Sequence, residues 1–222
     1  MIIRQDSVST LFLAEVLAMR LCHDLSGQMN ALAGAIEELR DTEAPDRDTI
    51  ELASDASASL VHRLRLARAA WGRSDSPMAV DEWRELVEVM PRRGVALDLD
   101  GVNENGIFAP AAARLALNVM LLATESLPAG GTVRVAGEPD QDLLVRIQGP
   151  RAAWPAGFAA MMADPAEAID HLGRNEGVTA ARMLQASLTA LIAHATGQRL
   201  SFLLGPAADS APPLLVALTV AR

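Results

Sequence analysis

The sequence predicts an α+β protein in which an N-terminal two-helix hairpin precedes an α/β sandwich. Apolar residues recur at three- and four-residue steps in two long segments near the start, and short alternating runs typical of strands follow later. Aromatic residues make up only 3% of the chain, so alanine and leucine must supply most of the packing, which favours helices. The 222 residues are 50% hydrophobic, which suffices for one large domain or two modest ones.

The first predicted domain, residues 1–74, is the helical hairpin. Its first helix covers 7–40, where Ser7 or Ser9 can cap the start, and its second helix covers 46–71. The apolar stripe of the first helix consists of Leu21, Leu25, Met29, Leu32, Ile36 and Leu39. The stripe of the second helix consists of Ile50, Ala53, Leu60, Leu64, Ala67 and Trp71. One hairpin cannot bury both stripes, so we expect two copies to pair as a homodimer with a four-helix bundle.

The second predicted domain, residues 78–222, mixes helices and strands. Helical patterns cover 80–90, 110–127 and 178–196. Strand patterns cover 95–99, 132–136, 143–148, 199–204 and 214–221. The segment 149–165 contains prolines, glycines and small residues, which predicts a loop. Together these elements predict a mixed sheet with helices on one face.

Composition excludes several classes of partner. The net charge of −9 argues against nucleic-acid binding, which needs clustered lysine and arginine. The single cysteine, Cys22, excludes an intramolecular disulfide and fits a reducing cytoplasm. Residues 1–20 carry charges throughout and predict no signal peptide. Since no apolar run approaches the ~18 residues of a membrane span, we expect a cytoplasmic protein without membrane contact.

His23 is the candidate catalytic residue, because the first helix should turn it towards solvent. With Leu21 at zero, the apolar stripe spans roughly 0° to 80° and His23 lies at roughly 200°. Four residues share this outer face: Met19, Gly27, Asn30 and Gly34. Each glycine costs roughly 1 kcal/mol relative to alanine in a helix, and a face this open lets another protein's backbone approach. We expect these four residues to form a docking face around His23.

Asp24 follows His23 and can orient the ring or act as its general base. An imidazole is neutral and nucleophilic at cytoplasmic pH. An isolated exposed histidine is more often an ordinary surface residue, so Asp24 and the open docking face are what favour a catalytic role. We interpret His62, His171 and His194 as non-catalytic, with His171 in a loop. The histidines show no metal-ligand spacing, and the chain has no GxSxG, Walker A or GxGxxG motif, so we expect no metal and no cofactor.

Several motifs follow one another along the chain in a fixed order. The first helix contains Leu21-Cys-His-Asp-Leu25, then Ala31-Leu32, then the ending Glu37-Glu38-Leu39. Three later segments continue the order: 55–72, 115–131 and 181–197. Taken together, these residues resemble alphaproteobacterial histidine phosphotransferases of the ChpT type over nearly the whole chain.

The resemblance implies a histidine-kinase-like fold, in which a dimerising hairpin precedes a degenerate ATPase-like domain. It also implies a histidine phosphotransferase in a phosphorelay. Such a protein accepts a phosphoryl group on His23 from the receiver domain of a hybrid histidine kinase and passes it to the aspartate of a response regulator. Two departures concern the choice of partner more than the role of His23. Gln28 occupies the position of the family's usual proline, and Ala33-Gly34 occupies that of its paired asparagines.

Residues that a kinase uses to bind ATP are missing from the second predicted domain. Kinases end a strand with Asp-x-Gly, whereas no aspartate or glutamate occurs over 143–163. The second asparagine of the kinase helix corresponds to Leu122, four residues after Asn118, and leucine cannot hold Mg²⁺. We therefore expect no ATP binding, with the partner receiver supplying Mg²⁺. Two alternatives stay open: a non-catalytic dimeric interaction module that binds receivers or kinases and, less favoured, a residual kinase.

Overall fold

The N-terminal part of the chain is a pair of long helices. A computed structural model describes residues 2–41, 47–90, 94–174, 177–204 and 211–219. Helix α1 (Ile2–Asp41) and helix α2 (Arg47–Trp71) pack against each other. Across their contact, the hydroxyl of Ser59 donates to Oε1 of Gln28 at 2.9 Å. Only five residues separate the two helices in sequence, and yet the middle of α1 contacts the middle of α2. The helices therefore run antiparallel and form the predicted hairpin.

The buried face of each hairpin helix differs from the predicted apolar stripe. In α1 the most buried side chains are Val16 and Ala35, at 1% and 3% exposure, whereas Met29 and Ile36 of the stripe are 57% and 47% exposed. On a helical projection, the buried face lies roughly 130° from the centre of the stripe. The same displacement occurs in α2, whose buried and exposed apolar residues are, respectively, Leu66 with Ala70 and Ile50 with Leu64. A single chain therefore leaves its apolar stripe partly uncovered.

The remainder of the described chain alternates helices and strands. Its helices are α3 (Val80–Glu88), α4 (Pro110–Glu125), α5 (Phe158–Ala163), α6 (Pro165–Gly173) and α7 (Gly177–Thr196). Its strands are β1 (Met78–Ala79), β2 (Val95–Val102), β3 (Ile107–Phe108), β4 (Gly131–Gly137), β5 (Asp142–Gln148), β6 (Arg199–Phe202) and β7 (Leu214–Ala217). Within the described ranges, no helix has both the length and the apolar character needed to cross a membrane.

Five of these strands form one mixed sheet with the order β2-β4-β5-β7-β6. The β2–β4 pair is parallel, and the other neighbouring pairs are antiparallel. In β5 the side chains of Leu143, Val145 and Ile147 are buried, whereas those of Asp142 and Arg146 are exposed. Alternate residues of a strand point to opposite faces, so one face meets the core and the other meets solvent. Helices α4 and α7 pack together on the core side, which confirms the predicted α+β class with helices on one face.

The segment predicted as a loop over 149–165 contains helix, so that prediction was wrong. Helix α5 lies within it and α6 begins at its end, so His171 belongs to a helix. The carboxylate of Asp164 caps α6 by accepting a hydrogen bond of 2.8 Å from the backbone N–H of Ala166. Pro165 occupies the first turn, where its missing N–H costs nothing. The proline therefore starts a helix here instead of ending one.

Other local differences are small. Ser7 and Ser9 lie inside α1, which begins at Ile2, so neither caps its start. Strands β1 and β3 pair with each other but are too short to give an alternating pattern in the sequence. The strand predicted over 214–221 forms only as β7, and its last two predicted residues lie outside the described residues.

Both helices of the hairpin contact the part of the chain that follows it. Helix α1 packs against α7, and α2 packs against α3 and α4. Asn118 of α4 donates to the carbonyl oxygen of Ala70 at 2.7 Å, and Arg114 donates to the carbonyls of Ala70 and Trp71. The last carbonyls of a helix have no partner within it, so these bonds satisfy the end of α2. The hairpin is thus attached to the sheet-bearing part by packing and by hydrogen bonds.

Candidate functional site

His23 lies near the middle of α1, and 62% of its side chain is exposed. The helix continues without a break through Gln28, where the resembling family carries proline. The four predicted docking-face residues around His23 are also exposed: Met19, Gly27, Asn30 and Gly34. The imidazole is therefore accessible to a large partner and is carried by a regular, rigid element.

The two glycines of the predicted docking face occupy open space. A Cβ added to Gly27 or Gly34 would meet no atom within 4 Å. At Gly72, by contrast, a Cβ would collide with the carbonyl oxygen of Arg68. The fold of the chain therefore requires glycine at Gly72 but not at positions 27 and 34, although glycine there weakens the helix.

Asp24 contacts the ring of His23. Its Oδ1 lies 3.2 Å from Nδ1 of the imidazole. A carboxylate oxygen only accepts hydrogen bonds, so this contact favours the tautomer that carries its hydrogen on Nδ1. In the neutral ring, Nε2 then keeps the lone pair and is the nucleophilic nitrogen.

Arg20 connects Asp24 to the second part of the chain. Its Nε donates to Oδ2 of Asp24 at 2.6 Å, and its Nη2 donates to Oε1 of Glu125, the last residue of α4. The Arg20 side chain is only 11% exposed. Burial by itself lowers the pKa of Arg20, but the carboxylates of Glu125 and Asp24 outweigh that effect and raise the pKa above its ordinary value. The guanidinium therefore stays charged between the two carboxylates.

Arg20 and Glu125 were not among the site residues predicted from the sequence. Arg20 precedes Asp24 by four residues, a spacing at which opposite charges meet on a helix, and this was the one local signal available. Glu125 lies 105 residues from Arg20, so only the tertiary fold brings them together. The site is therefore a path of four side chains in which Glu125 contacts Arg20, Arg20 contacts Asp24, and Asp24 contacts His23.

Asn118, which corresponds to the first asparagine of the kinase helix, has a structural role in this chain. Asn118 is fully buried, and its Nδ2 donates to the carbonyls of Ala70 and Arg114 at 2.7 and 2.8 Å. Its Oδ1 accepts from Nε2 of Gln185 in α7 at 3.0 Å. Leu122 is buried as well. The amide of Asn118 therefore joins α2, α4 and α7 in the core.

The remaining histidines have other surroundings. Nε2 of His194 lies 3.0 Å from the carbonyl oxygen of Met161, His171 is in α6, and His62 is half-buried in α2. Among the residues that the structure describes, there is no group of three or more histidine, cysteine, aspartate or glutamate side chains that could hold a metal ion.

Comparison with known proteins agrees with the family and the fold that the sequence predicts. The family described as histidine phosphotransferase C-terminal domain matches residues 84–208, which is more than half of the chain. The protein phosphotransferase ChpT of Brucella abortus (strain 2308) is 25% identical over 202 residues, covering 88% of this chain and 91% of the relative. A solved bacterial phosphotransferase is similar in fold, with a TM-score of 0.67 at 20% identity, over 93% of this chain and 96% of the other. This chain belongs to the histidine phosphotransferase family.

Proposed function

We propose that this chain is a phosphorelay carrier. His23 accepts a phosphoryl group from the aspartate of a receiver domain and passes it to the aspartate of a response regulator, without using ATP. The observation that carries the proposal is the exposed ring of His23 with Nδ1 against Asp24. This arrangement leaves Nε2 as a nucleophile on a surface that a folded partner can reach.

Transfer needs little covalent help from the protein beyond position and charge. Nε2 of His23 attacks the phosphorus of the aspartyl phosphate, a P–N bond forms, and the P–O bond to the receiver breaks. The departing carboxylate takes the bonding electron pair. The hydrogen on Nδ1 stays in place, and Asp24 balances the positive charge that develops on the ring. The receiver supplies its own Mg²⁺, and the reverse sequence delivers the group to the next receiver.

The docking face supports a protein partner rather than a small molecule. Its glycines lie in open space, so the partner's backbone can approach the helix beside His23. A close external contact would explain why glycine stands at two helical positions where the chain's own packing does not need it. We assign Met19, Gly27, Asn30 and Gly34 to this contact.

Three observations support the proposal that ATP is not used. The carboxylate that reads adenine in kinases has no counterpart over 143–163. The amide of Asn118 is engaged with Ala70, Arg114 and Gln185, and Leu122 offers no oxygen ligand. A magnesium site needs hard oxygen ligands, which these two positions do not offer.

The apolar stripe of the hairpin supports a homodimer. Met29 and Ile36 in α1, with Ile50 and Leu64 in α2, are each about half exposed in a single chain. Pairing two hairpins through these stripes would bury them in a four-helix bundle. The proposed receiver partners act in the cytoplasm, to which we also assign this chain.

The proposal is tested with receiver domains from the same organism, phosphorylated with acetyl phosphate and mixed with the full chain. The expected product is an acid-labile, base-stable phosphoryl group on wild type and on His62→Ala, and none on His23→Ala. A wild-type chain that binds receivers but never accepts the group would favour the non-catalytic interaction module. Tight Mg²⁺-dependent binding of ATP in a calorimetric titration would favour a residual kinase.

A further inference from the structure

We propose that Arg20 and Glu125 are positioning residues, through which the sheet-bearing part of the chain sets the tautomer and orientation of the His23 ring. This inference rests on the proposed phosphotransfer at His23 and gives the second part of the chain a role in that reaction. The path runs from Glu125 in α4 through Arg20 and Asp24 to His23 in α1.

The contact between His23 and Asp24 is not one that a helix provides by itself. Successive residues of an α-helix point about 100° apart, so their side chains do not face each other. Asp24 must therefore turn its carboxylate back towards the ring, and this carboxylate is 30% exposed. A partly exposed carboxylate keeps one orientation only if a second group holds it.

Arg20 is that second group. It precedes Asp24 by four residues, the spacing at which helical side chains meet, and its Nε donates to Oδ2 of Asp24 at 2.6 Å. The other oxygen, Oδ1, is left for Nδ1 of His23. Because the two oxygens belong to one planar group, fixing Oδ2 also fixes the direction of Oδ1.

Glu125 holds Arg20 in turn. An arginine side chain is long and flexible, but this one is largely buried and donates to Oε1 of Glu125, whose side chain is 15% exposed. Buried charge pairs are screened by water and salt much less than surface pairs. Glu125 ends α4, where a carboxylate opposes the negative end of the helix dipole. Helix stability therefore disfavours glutamate at this position, and the contact with Arg20 offsets that cost.

Removing the Glu125 charge should loosen Arg20, then Asp24, and finally release Nδ1 of His23. In part of the molecules the hydrogen would then move to Nε2, and that nitrogen would no longer have a free lone pair. Receiver binding uses the docking face, which this change does not touch. The expected signature is a lower kcat for phosphotransfer at an unchanged KM for the receiver.

The test compares Glu125→Gln with Asp98→Asn as a matched control. Asp98 of β2 also accepts from an arginine, Nε of Arg134, at 2.6 Å, but within the sheet. Nitrogen-15 NMR of the full chain labelled at histidine reports the His23 tautomer, assigned with His23→Ala. We expect hydrogen on Nδ1 in wild type and Asp98→Asn. In Glu125→Gln we expect a partial shift to Nε2 and a kcat lower by about tenfold.

Arg20→Lys is a second variant that keeps the charge. A single ammonium cannot present two separate edges to two carboxylates as a guanidinium does, so the same NMR change is expected. A double-mutant cycle of Glu125→Gln with Asp24→Asn should be less than multiplicative in kcat, because both changes act through one contact. Circular dichroism identifies any variant that does not fold. If either Glu125→Gln or Arg20→Lys fails to fold, the remaining one of the two tests the proposal.

Folded variants that keep the wild-type tautomer, or that lose it without a change in kcat, overturn the positioning proposal. A different result would refute the proposed function but not the positioning proposal. If the tautomer shifts as expected while wild type accepts no phosphoryl group from any receiver, the positioning role of Arg20 and Glu125 stands and the proposed function fails.

Discussion

The hydroxyl of Ser59 in α2 donates a hydrogen bond of 2.9 Å to Oε1 of Gln28 in α1. Both side chains are half-buried, and the bond joins the two helices of the hairpin five residues after His23 in α1. Gln28 stands where phosphotransferases of the ChpT type usually carry proline. The bond to Ser59 gives glutamine a structural task at that position and joins the two helices that carry the site.

Ser59→Ala should remove this bond without disturbing His23. A hydrogen bond of this kind contributes about 1 kcal/mol, so in a urea titration the free energy of unfolding should be lower by about that amount than in the control variant Ser54→Ala. Ser54→Ala is the matched control, since Ser54 is exposed on the same helix. In both variants, replacing serine with alanine favours the helix by ~0.5 kcal/mol. An equal change in stability in Ser59→Ala and Ser54→Ala would mean that the bond contributes nothing in solution.

Gly27→Ala and Gly34→Ala should stabilise the chain and impair transfer. The added methyl groups enter open space, so each should raise the free energy of unfolding by up to ~1 kcal/mol. On the docking face the same methyl groups should obstruct the receiver and raise KM. Gly173→Ala, at the end of α6 and also in open space, should leave transfer unchanged. Wild-type KM values in both docking-face variants would argue against this surface as the contact.

Ile36→Glu should convert the proposed dimer into monomers. Ile36 lies on the apolar stripe of α1 and is 47% exposed in one chain, so a second copy should cover it. Burying an unpaired carboxylate in that interface is unfavourable. Light scattering after size exclusion measures the mass, with Ile169→Glu in α6, 40% exposed, as the control that stays dimeric. A monomeric wild type would contradict the bundle.

Asn118→Ala should lower the stability of the chain and should not change nucleotide binding. The change leaves the buried Nε2 of Gln185 and the carbonyl of Ala70 without the amide that each contacts. Arg114 still donates to the carbonyl of Ala70, and Nε2 of Gln185 still donates to the backbone carbonyl of Asn118. The loss is therefore that of the buried amide hydrogen bonds, each worth about 1 kcal/mol, and the midpoint of urea unfolding should fall clearly. Asn105→Ala, at an exposed turn, serves as the control with a change within about 0.5 kcal/mol. A stable Asn118→Ala variant that loses Mg²⁺-dependent nucleotide binding would instead support a kinase-like role.

Regular elements could be predicted from the sequence because their patterns are local. Two long runs of helical spacing gave the hairpin, and strands β4 and β5 were located by alternation within 132–136 and 143–148. His23 is exposed as the same periodicity predicted, although the buried face of α1 is not the apolar stripe from which that prediction was made. Helices α5 and α6 were missed because they are short and lie in a segment rich in proline, glycine and alanine, where composition resembles a loop.

The contacts that organise the site could not be predicted in the same way. The pairing of Arg20 with Glu125 depends on where α4 ends relative to α1, which no local pattern records. The buried face of α1 was also displaced from its apolar stripe, because the contacts of α1 with α2 and α7 cover that stripe only in part. A helical projection locates an apolar stripe, but not which neighbour will cover it.

The most direct test of the central claim is to locate the phosphoryl group after reaction with a phosphorylated receiver. Phosphorus-31 NMR of the chain labelled with nitrogen-15 at histidine identifies the nitrogen that carries phosphorus, and mass spectrometry of base-stable peptides identifies the residue. We predict a phosphoramidate on Nε2 of His23, and none in His23→Ala. A phosphoryl group on another residue, on Nδ1 of His23, or on no residue of the wild-type chain would contradict the account.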